Sequence, residues 1–306
     1  MYKLCFNAGL SCPNRDGTLG RGGCIFCSEG GSGEFSVDIT RGAFQSTFRS
    51  TQENTEEVDI TRTIQEALNE AKGQVGAKFA GDEFIAYFQA FSNTYGPVEY
   101  LRRIYRAVMQ CEEVKVLSIA TRPDCLNEEV YELLEELVNI KPVWIELGLQ
   151  TVKEESISFI RRGYSTDVYD EAVRRLNSIG IHVITHVILY LPGESVEDMK
   201  ETVRHVCAAG SRGIKLQELM ILKNTELGRM YEKGELDGKI HIPTKDEYIK
   251  TVGECVSILP PDMVVHRMSA DPPRHMLIEP QWVWDKKKVM NALTGELRKR
   301  GLRKGE

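Results

Sequence analysis

Short apolar runs alternate with amphipathic runs along most of this chain. The first run, residues 3–8, alternates apolar and polar side chains and predicts a strand. The run that begins at Ile60 repeats its apolar residues at helical intervals and predicts a helix. Further strands are predicted over residues 84–89, 115–120, 143–149, 182–191 and 213–222. Further helices are predicted over residues 98–110, 127–138, 167–179, 195–208 and 245–258.

This order predicts an α/β fold with a parallel sheet. Short apolar strands separated by helices are typical of right-handed crossovers, in which helices cover the strands. A partial (β/α)6 barrel of six parallel strands, open enough for a large substrate, satisfies the pattern, and so does an open doubly wound sheet. The periodicity alone does not choose between the two.

The remaining segments predict how the chain is divided. Residues 28–59 are polar and rich in glycine, which predicts a loop. Residues 259–306 hold a strand-like run, VVHRMS, and a basic terminal helix. We therefore expect one core domain over residues 1–258 and a small C-terminal extension over residues 259–306.

Composition excludes some classes of protein. The chain has 306 residues, of which 42% are hydrophobic and 27% charged, and no apolar run reaches the ~18 residues of a membrane span. Its first residues do not resemble an export signal, so we expect a cytoplasmic protein without a membrane partner. The net charge is -6, but residues 285–306 carry eight Lys and Arg against three Asp and Glu. A basic tail of this kind is usually a solvated helix end, and it can also contact nucleic acid.

Three of the eight cysteines are clustered in the stretch CPNRDGTLGRGGCIFC, at positions Cys12, Cys24 and Cys27. Three thiolates could bind zinc, but a structural zinc site needs a fourth ligand, and none lies nearby in the sequence. An iron-sulfur cluster with one iron left open to an exogenous ligand suits three cysteines better. Inert or redox-active thiols remain the third alternative, and the five scattered cysteines are expected to be buried apolar residues.

The cysteine segment and five later stretches together resemble a known family. The three cysteines, with Phe26 directly before the last of them, resemble the cluster segment of radical S-adenosylmethionine (SAM) enzymes. More narrowly, the chain resembles the YhcC/YtqA type, a branch near the Elongator catalytic subunit and the oxygen-independent coproporphyrinogen oxidases. The stretches that carry the resemblance are CPNRDG with GGCIFC, YFQAFSNTYGP, TRPDCL, WIELGLQT, THVILYLPGE and IKLQELMILKNTELG.

The resemblance implies a cofactor pair and a chemistry. It implies a [4Fe-4S] cluster on Cys12, Cys24 and Cys27, within a cluster loop over residues 12–33, with SAM on the open iron. An electron donor such as flavodoxin or ferredoxin would then allow reductive cleavage of SAM to a 5′-deoxyadenosyl radical. The cofactor carries this chemistry, and the protein places it at the C-terminal ends of the strands.

The resemblance also implies cofactor-binding residues. The turn over residues 89–94 would receive the methionine amino group, although it lacks the family's usual glycines. Gln150 and Arg162 match positions that contact the ribose and the carboxylate, and His186 matches one that can reach the ribose; His186 is equally well read as a core residue. The predicted cofactor-binding set is Phe26, Gln89, Phe91, Asn93, Glu146, Gln150, Arg162, His186 and Leu191.

The substrate is the least specified part of the resemblance. The neighbouring branch modifies the wobble uridine of tRNA, and basic residues at 161–162, 174–175, 286–288 and 298–304 could meet phosphates. We therefore expect modification of the wobble uridine side chain, with tRNA as a partner. The alternative is a radical enzyme for a small-molecule or tetrapyrrole-like metabolite, and the remote alternative is a non-catalytic zinc-binding protein.

Overall fold

Eight parallel strands form one sheet in the computed structural model, which describes residues 1–31, 33–40, 60–76 and 81–302. The strands stand in the order β2, β1, β3, β4, β5, β6, β7, β9. Their bounds are β1 Tyr2–Asn7, β2 Val37–Asp38, β3 Phe84–Phe88, β4 Val114–Thr121, β5 Val143–Gln150, β6 His182–Leu189, β7 Gly213–Glu218 and β9 Val264–Arg267. The six predicted strands are the six central ones, so the prediction of a parallel α/β sheet is confirmed.

The strand order distinguishes a barrel-type sheet from a doubly wound one. From β1 through β3 to β7 each new strand is added on the same side of the previous one, and the order never reverses. Right-handed crossovers in one direction place all the helices on one face of the sheet. A doubly wound sheet requires a reversal of strand order. The other face of this sheet is therefore free to line an interior, as in a partial barrel.

Nine α-helices lie within the described residues. Their bounds are α1 Ile60–Val75, α2 Val98–Gln110, α3 Glu128–Val138, α4 Glu154–Ile160, α5 Thr166–Ser178, α6 Val196–Ala208, α7 Glu226–Glu232, α8 Lys245–Val256 and α9 Lys286–Lys299. The side chain of Asn127 caps α3, and Ser195 and Thr244 form capping boxes at α6 and α8. These caps explain why the predicted helices begin where they do.

The main core lies between the helices and one face of the sheet. Leu117 and Ile119 of β4, Ile145 and Leu147 of β5, and Leu216 of β7 are fully buried in it. In each strand the residues between them point to the opposite face, because side chains alternate along a strand. That opposite face holds the polar residues described below.

Two expectations about strands were wrong in detail. The predicted strand over residues 213–222 breaks after Glu218, and Ile221–Leu222 forms a separate strand, β8, which pairs antiparallel with β10, Leu277–Glu279. The predicted loop over residues 28–59 contains β2, where Val37 pairs with Phe6 of β1; residues 41–59 of that loop lie outside the described residues. Both errors concern two-residue strands, whose pairing partners are distant in sequence.

The strand-like run of the C-terminal extension joins the main sheet. It forms β9, which pairs parallel with β7, and α9 packs against α8. Within the described residues, no helix combines the length and apolar character needed to cross a membrane.

Candidate active site

One cavity of about 1030 Å³ opens on the inner face of the sheet. Residues of β1, β3, β5, β6 and β7 line it, together with the cysteine segment. Of the residues predicted from sequence, the cavity is lined by Cys12, Cys24, Cys27, Phe26, Gln89, Phe91, Glu146, Gln150, Arg162 and His186. The structure thus brings ten of the twelve predicted residues to one place.

The three clustered cysteines are free thiols that face this cavity. Burial raises the pKa of Cys24, and burial together with the neighbouring Cys24 raises the pKa of Cys27 to about 12. Both thiols are therefore protonated at neutral pH and become thiolate ligands only when a metal displaces the proton. Three sulfur donors on one cavity wall fit a [4Fe-4S] cluster, which takes cysteine ligands.

The arrangement differs from that of a single-ion site. Among the described residues, no group of three or more His, Cys, Asp and Glu side chains is placed to hold one metal ion. The cysteines of a cubane cluster bind separate irons, so they need not converge on one point. The donor geometry is compatible with a cluster and does not provide a closed zinc site.

Local contacts fix the cysteine segment against the rest of the domain. Asn14 donates from Nδ2 to the Arg161 carbonyl at 2.7 Å and lies 3.5 Å from Cys24 Sγ. Gly23 has a φ of +90°, and a Cβ there would lie 3.1 Å from Arg15 Nε, so the turn before Cys24 favours glycine. These contacts hold the segment over the mouth of the cavity.

The turn after β3 packs directly on the cysteine segment. Phe91 has a φ of +61°, its ring lies 5.3 Å from the Arg15 guanidinium, and a Cβ on Gly31 would lie 2.4 Å from the ring. Asn93, by contrast, is fully buried behind the cavity wall and donates from Nδ2 to the carbonyls of Phe88 and Ala120. Asn93 thus ties the ends of β3 and β4 together and is not among the lining residues.

The end of β5 forms the next part of the wall. Gln150 has a φ of +69°, and its Oε1 is buried without a hydrogen-bond partner among the described residues. A Cβ on Gly148 would lie 2.7 Å from Gln150 Nε2, so glycine leaves room for this side chain. An unsatisfied amide oxygen at a cavity wall is suited to accept a donor from a bound ligand.

Arg162, at the cavity wall, supports the end of β5 through hydrogen bonds. It is 1% exposed, and its five N–H groups make five hydrogen bonds, to the carbonyls of Leu149, Thr151 and Tyr164 and to Thr166 Oγ1. All its donors are therefore used within the protein. In this conformation Arg162 acts as a buried brace for the cavity wall.

The centre of the inner face is occupied by the Glu146 carboxylate, which is fully buried. Oε1 accepts from Lys3 Nζ and, at 2.8 Å, from Ser118 Oγ; Oε2 accepts from Lys215 Nζ and lies 2.7 Å from His186 Nε2. Burial alone would raise the pKa of Glu146, but the two lysines lower it well below its usual range. Glu146 is thus ionised and joins β1, β4, β5, β6 and β7.

The groups that contact Glu146 have shifted pKa values of their own. Burial and the Lys215 charge lower the pKa of His186 to about 4, so its imidazole is neutral at pH 7. Burial also lowers the pKa of Lys215, against the attraction of Glu146. The Tyr87 ring stands between the two lysines, with its centroid 4.5 Å from Lys3 Nζ and 4.6 Å from Lys215 Nζ.

Leu191 lies outside this cavity wall. It is 2% exposed and packs in a small apolar cluster with Ile25 and Ile188, next to Phe26. This cluster, against which Phe26 packs, links Leu191 to the cysteine segment through Ile25. Lys3, Tyr87 and Arg267 line the cavity although the sequence reasoning assigned them no role. The sequence signal that could have identified these three residues is a polar side chain at an inward-facing position of an apolar strand.

Comparisons with known proteins agree with this geometry. A model of the radical SAM superfamily matches residues 16–206, and a model of the radical SAM C-terminal domain matches residues 211–299. YtqA of Bacillus subtilis is 38% identical to this chain, and the match covers 100% of this chain and 87% of YtqA. YhcC of Escherichia coli is 33% identical, and the match covers 92% of this chain and 82% of YhcC.

More distant matches include proteins of the Elongator branch. A tRNA uridine(34) acetyltransferase of Methanocaldococcus infernus is 26% identical over 53% of this chain and 30% of its own length. The solved structure of archaeal Elp3 from the same organism superimposes with a TM-score of 0.64 at 19% identity, over 79% of this chain and 59% of that one. The chain belongs to the radical SAM superfamily, whose members bind a [4Fe-4S] cluster and SAM, and within it is an enzyme of the YhcC/YtqA type.

Proposed function

We propose that Cys12, Cys24 and Cys27 hold the [4Fe-4S] cluster and that the enzyme uses SAM to modify the wobble uridine side chain of a tRNA. When bound, the cluster and SAM supply the radical that takes a hydrogen atom from the substrate. Each reductive cleavage consumes one electron, so we include a flavodoxin or ferredoxin as the donor. The observation that carries the proposal is the single cavity shared by the three thiols and the inner face of the sheet.

The protein's own residues have separate tasks in this proposal. Gln89 and Phe91, in the turn after β3, would help to orient SAM in the cavity. The Oε1 of Gln150, which has no hydrogen-bond partner among the described residues, would accept a donor from SAM. Phe26, directly before the last cysteine, packs against the apolar cluster that contains Ile25 and Leu191. Arg162 and Asn93 keep the ends of β5, β3 and β4 in place through hydrogen bonds. Glu146 and His186 belong to the deeper network, where a substrate group would lie.

Cavity size supports a substrate that enters beside the cofactor. A volume of about 1030 Å³ is at the upper end of the ~300–1,000 Å³ typical of small-molecule sites. SAM alone leaves part of such a cavity open, and a nucleoside can occupy the remainder. The relatives named for uridine 34 of tRNA and the Elp3 fold likeness support tRNA as the source of that nucleoside.

The surface gives less support to tRNA than the sequence did. Of the ten described basic side chains expected to meet phosphates, six have carboxylate partners: Arg161 with Glu226, Arg174 with Glu171, Arg175 with Glu128, Lys286 with Asp271, Lys288 with Asp285 and Arg300 with Glu296. This pairing favours the second candidate, a small-molecule substrate, because a free basic surface is the usual mark of nucleic-acid binding.

The test compares a deletion strain complemented with the wild type and with Cys24→Ala. We expect wobble-uridine nucleosides to change in the deletion strain and to be restored by the wild type only, as measured by mass spectrometry of tRNA nucleosides. Cys207→Ala, which alters a thiol outside the cavity lining, is the matched control and should restore them. Unchanged nucleosides with an altered metabolite profile would reject tRNA in favour of a small molecule. SAM cleavage by Cys24→Ala at the wild-type rate would refute the cluster assignment.

A further inference from the structure

The inner face of the sheet carries more positive than negative charge. Lys3 of β1, Lys215 of β7 and Arg267 of β9 line the cavity, and the charges that act on Lys215 are those of Lys3, Arg267 and Glu146. The imidazole of His186 beside them is neutral at pH 7. Three cations therefore face one carboxylate, which leaves a formal surplus of two positive charges in this group.

Other carboxylates that line the cavity are engaged elsewhere. Glu34 accepts from Ser28, and Asp271 pairs with Lys286. Glu218 accepts from the Ala270 backbone N–H at 3.1 Å and from Ser269 Oγ at 3.2 Å. None of the three has Lys3, Lys215 or Arg267 as a hydrogen-bond partner among the described residues. Within the described residues, Glu146 is thus the carboxylate that is directly paired with this group of cations.

Arg267 is the cation that remains available. Its side chain is half-buried, and no described residue accepts a hydrogen bond from it or forms an ion pair with it. It stands opposite Lys215 in the register of β9 with β7. A guanidinium presents its N–H donors as a planar fork, which matches a carboxylate or a phosphate with two parallel hydrogen bonds.

These cations lie deeper than the cysteines. Lys3 is four residues before the C-terminal end of β1, and the chain reaches Cys12 only after that end. At about 3.3 Å per residue, four residues place Lys3 about 13 Å back along the strand. The cysteine segment and the group around Lys3 therefore mark two ends of the cavity. A ligand at the inner end is a different molecule, or a different part of one, from a ligand on the cysteines.

We propose that Lys3, Lys215 and Arg267 form an anion-binding pocket at the inner end of the cavity, and that the substrate carries a carboxylate or phosphate group received there by Arg267. The occupant's role as substrate rests on the proposed radical chemistry, whereas anion binding itself can be measured without that chemistry. Glu146 holds the two lysines in position, and Arg267 supplies the donors left for the ligand.

The test uses the anaerobically reconstituted holoenzyme and two probes, sodium succinate and inorganic phosphate, at constant ionic strength. A ligand that binds the native state raises the midpoint of thermal unfolding by an amount that grows with the logarithm of its concentration relative to its Kd, so a concentration series gives the Kd. We expect at least one probe to raise the midpoint of the wild type and Arg267→Gln to raise the Kd obtained for that probe about tenfold or more, because charge-assisted hydrogen bonds are lost. The stronger probe identifies the class, carboxylate or phosphate.

Two further variants separate the site from general charge effects. Arg103→Gln removes an exposed arginine of α2 that is remote from the cavity lining, and it should respond to the probes like the wild type. Arg267→Lys keeps the charge without the fork and should respond between the wild type and Arg267→Gln. If Arg267→Gln fails to fold, Lys3→Gln tests the same pocket. An equal response in the wild type and in Arg267→Gln overturns the proposal, as does an equal loss in Arg103→Gln.

Titration with SAM in place of the probes distinguishes the two sources of a carboxylate. We expect Arg267→Gln to bind SAM with wild-type affinity. A parallel loss of SAM binding would assign Arg267 to the cofactor's carboxylate and overturn its assignment to the substrate. A wild type that responds to the anions but does not cleave SAM would refute the proposed function and leave the anion pocket standing.

Discussion

Replacing Glu146 with glutamine removes the one negative charge at the centre of the inner face and leaves the shape of the side chain almost unchanged. In the wild type, the carboxylate accepts from Lys3, Lys215, His186 and Ser118. A glutamine amide can accept with its oxygen, but its nitrogen is a donor that faces donors. The variant therefore keeps the packing and loses the compensation of the buried lysines.

The size of the effect follows from how Lys215 can respond. Its side chain is 4% exposed, so a charged and unpaired ammonium there is costly, and deprotonation limits that cost. Keeping a lysine of ordinary pKa ~10.4 neutral at pH 7 costs about 3.4 pKa units, or about 5 kcal/mol. We therefore expect Glu146→Gln to lower the free energy of unfolding at pH 7 by about 3–5 kcal/mol.

The stability of the variant should also depend on pH. With a neutral Lys215 in the folded state, the unfolded state binds one more proton below pH ~10, so stability rises with pH by up to ~1.4 kcal/mol per unit. Urea denaturation followed by far-UV circular dichroism at pH 7 and pH 9 measures both effects. Glu99→Gln, at an exposed pair on α2, is the control and should leave stability unchanged. A loss below ~1 kcal/mol in Glu146→Gln would refute the reasoning.

Two other predictions concern buried polar groups of the same wall. Arg162→Met removes the donors of five hydrogen bonds and leaves buried carbonyls unsatisfied, so we expect a loss of about 3–5 kcal/mol in urea denaturation; a loss under ~1 kcal/mol would contradict the bracing role. The folded-state pKa of His186 is about 4, below the ~6.5 of an unfolded histidine, so the unfolded state binds more protons and stability falls as pH drops through this window. Between pH 6.5 and 5 the wild type should therefore lose up to ~2 kcal/mol more than His186→Gln, and parallel pH profiles of the two proteins would exclude this histidine as the cause.

Much of the sheet could be predicted because its central strands are short apolar runs, each separated from the next by an amphipathic helix. The caps Asn127 and Ser195 also mark helix starts within the sequence itself. The two-residue strands β2 and β8 could not be predicted, because their pairing with β1 and β10 is set by distant contacts. Helices α4 and α7, of seven residues each, are too short to show a helical period.

The residues of the candidate site likewise fall into a group that could be predicted from the sequence and a group that could not. Residues at the ends of strands, such as Cys12, Gln89 and Gln150, could be placed together because parallel strands end at one edge. The inner network could not, since Lys3 and Glu146 are 143 residues apart and meet only across the interior. Asn93 and Leu191 lie in the right turns, but they face the protein instead of the cavity. A motif therefore locates a turn more reliably than it orients each side chain.

The two ends of the cavity place different demands on the fold. At the cysteine end, burial raises the pKa of Cys24 and Cys27, so these thiols are protonated at neutral pH, and the cluster that we propose there would have to displace the protons. At the inner end, Glu146 pairs with two lysines, and Arg267 has no partner among the described residues. The pocket proposed there would therefore bind a negatively charged ligand. Substitutions among the inner cations should consequently change which substrate is accepted, whereas substitutions among the cysteines should abolish the reaction with every substrate.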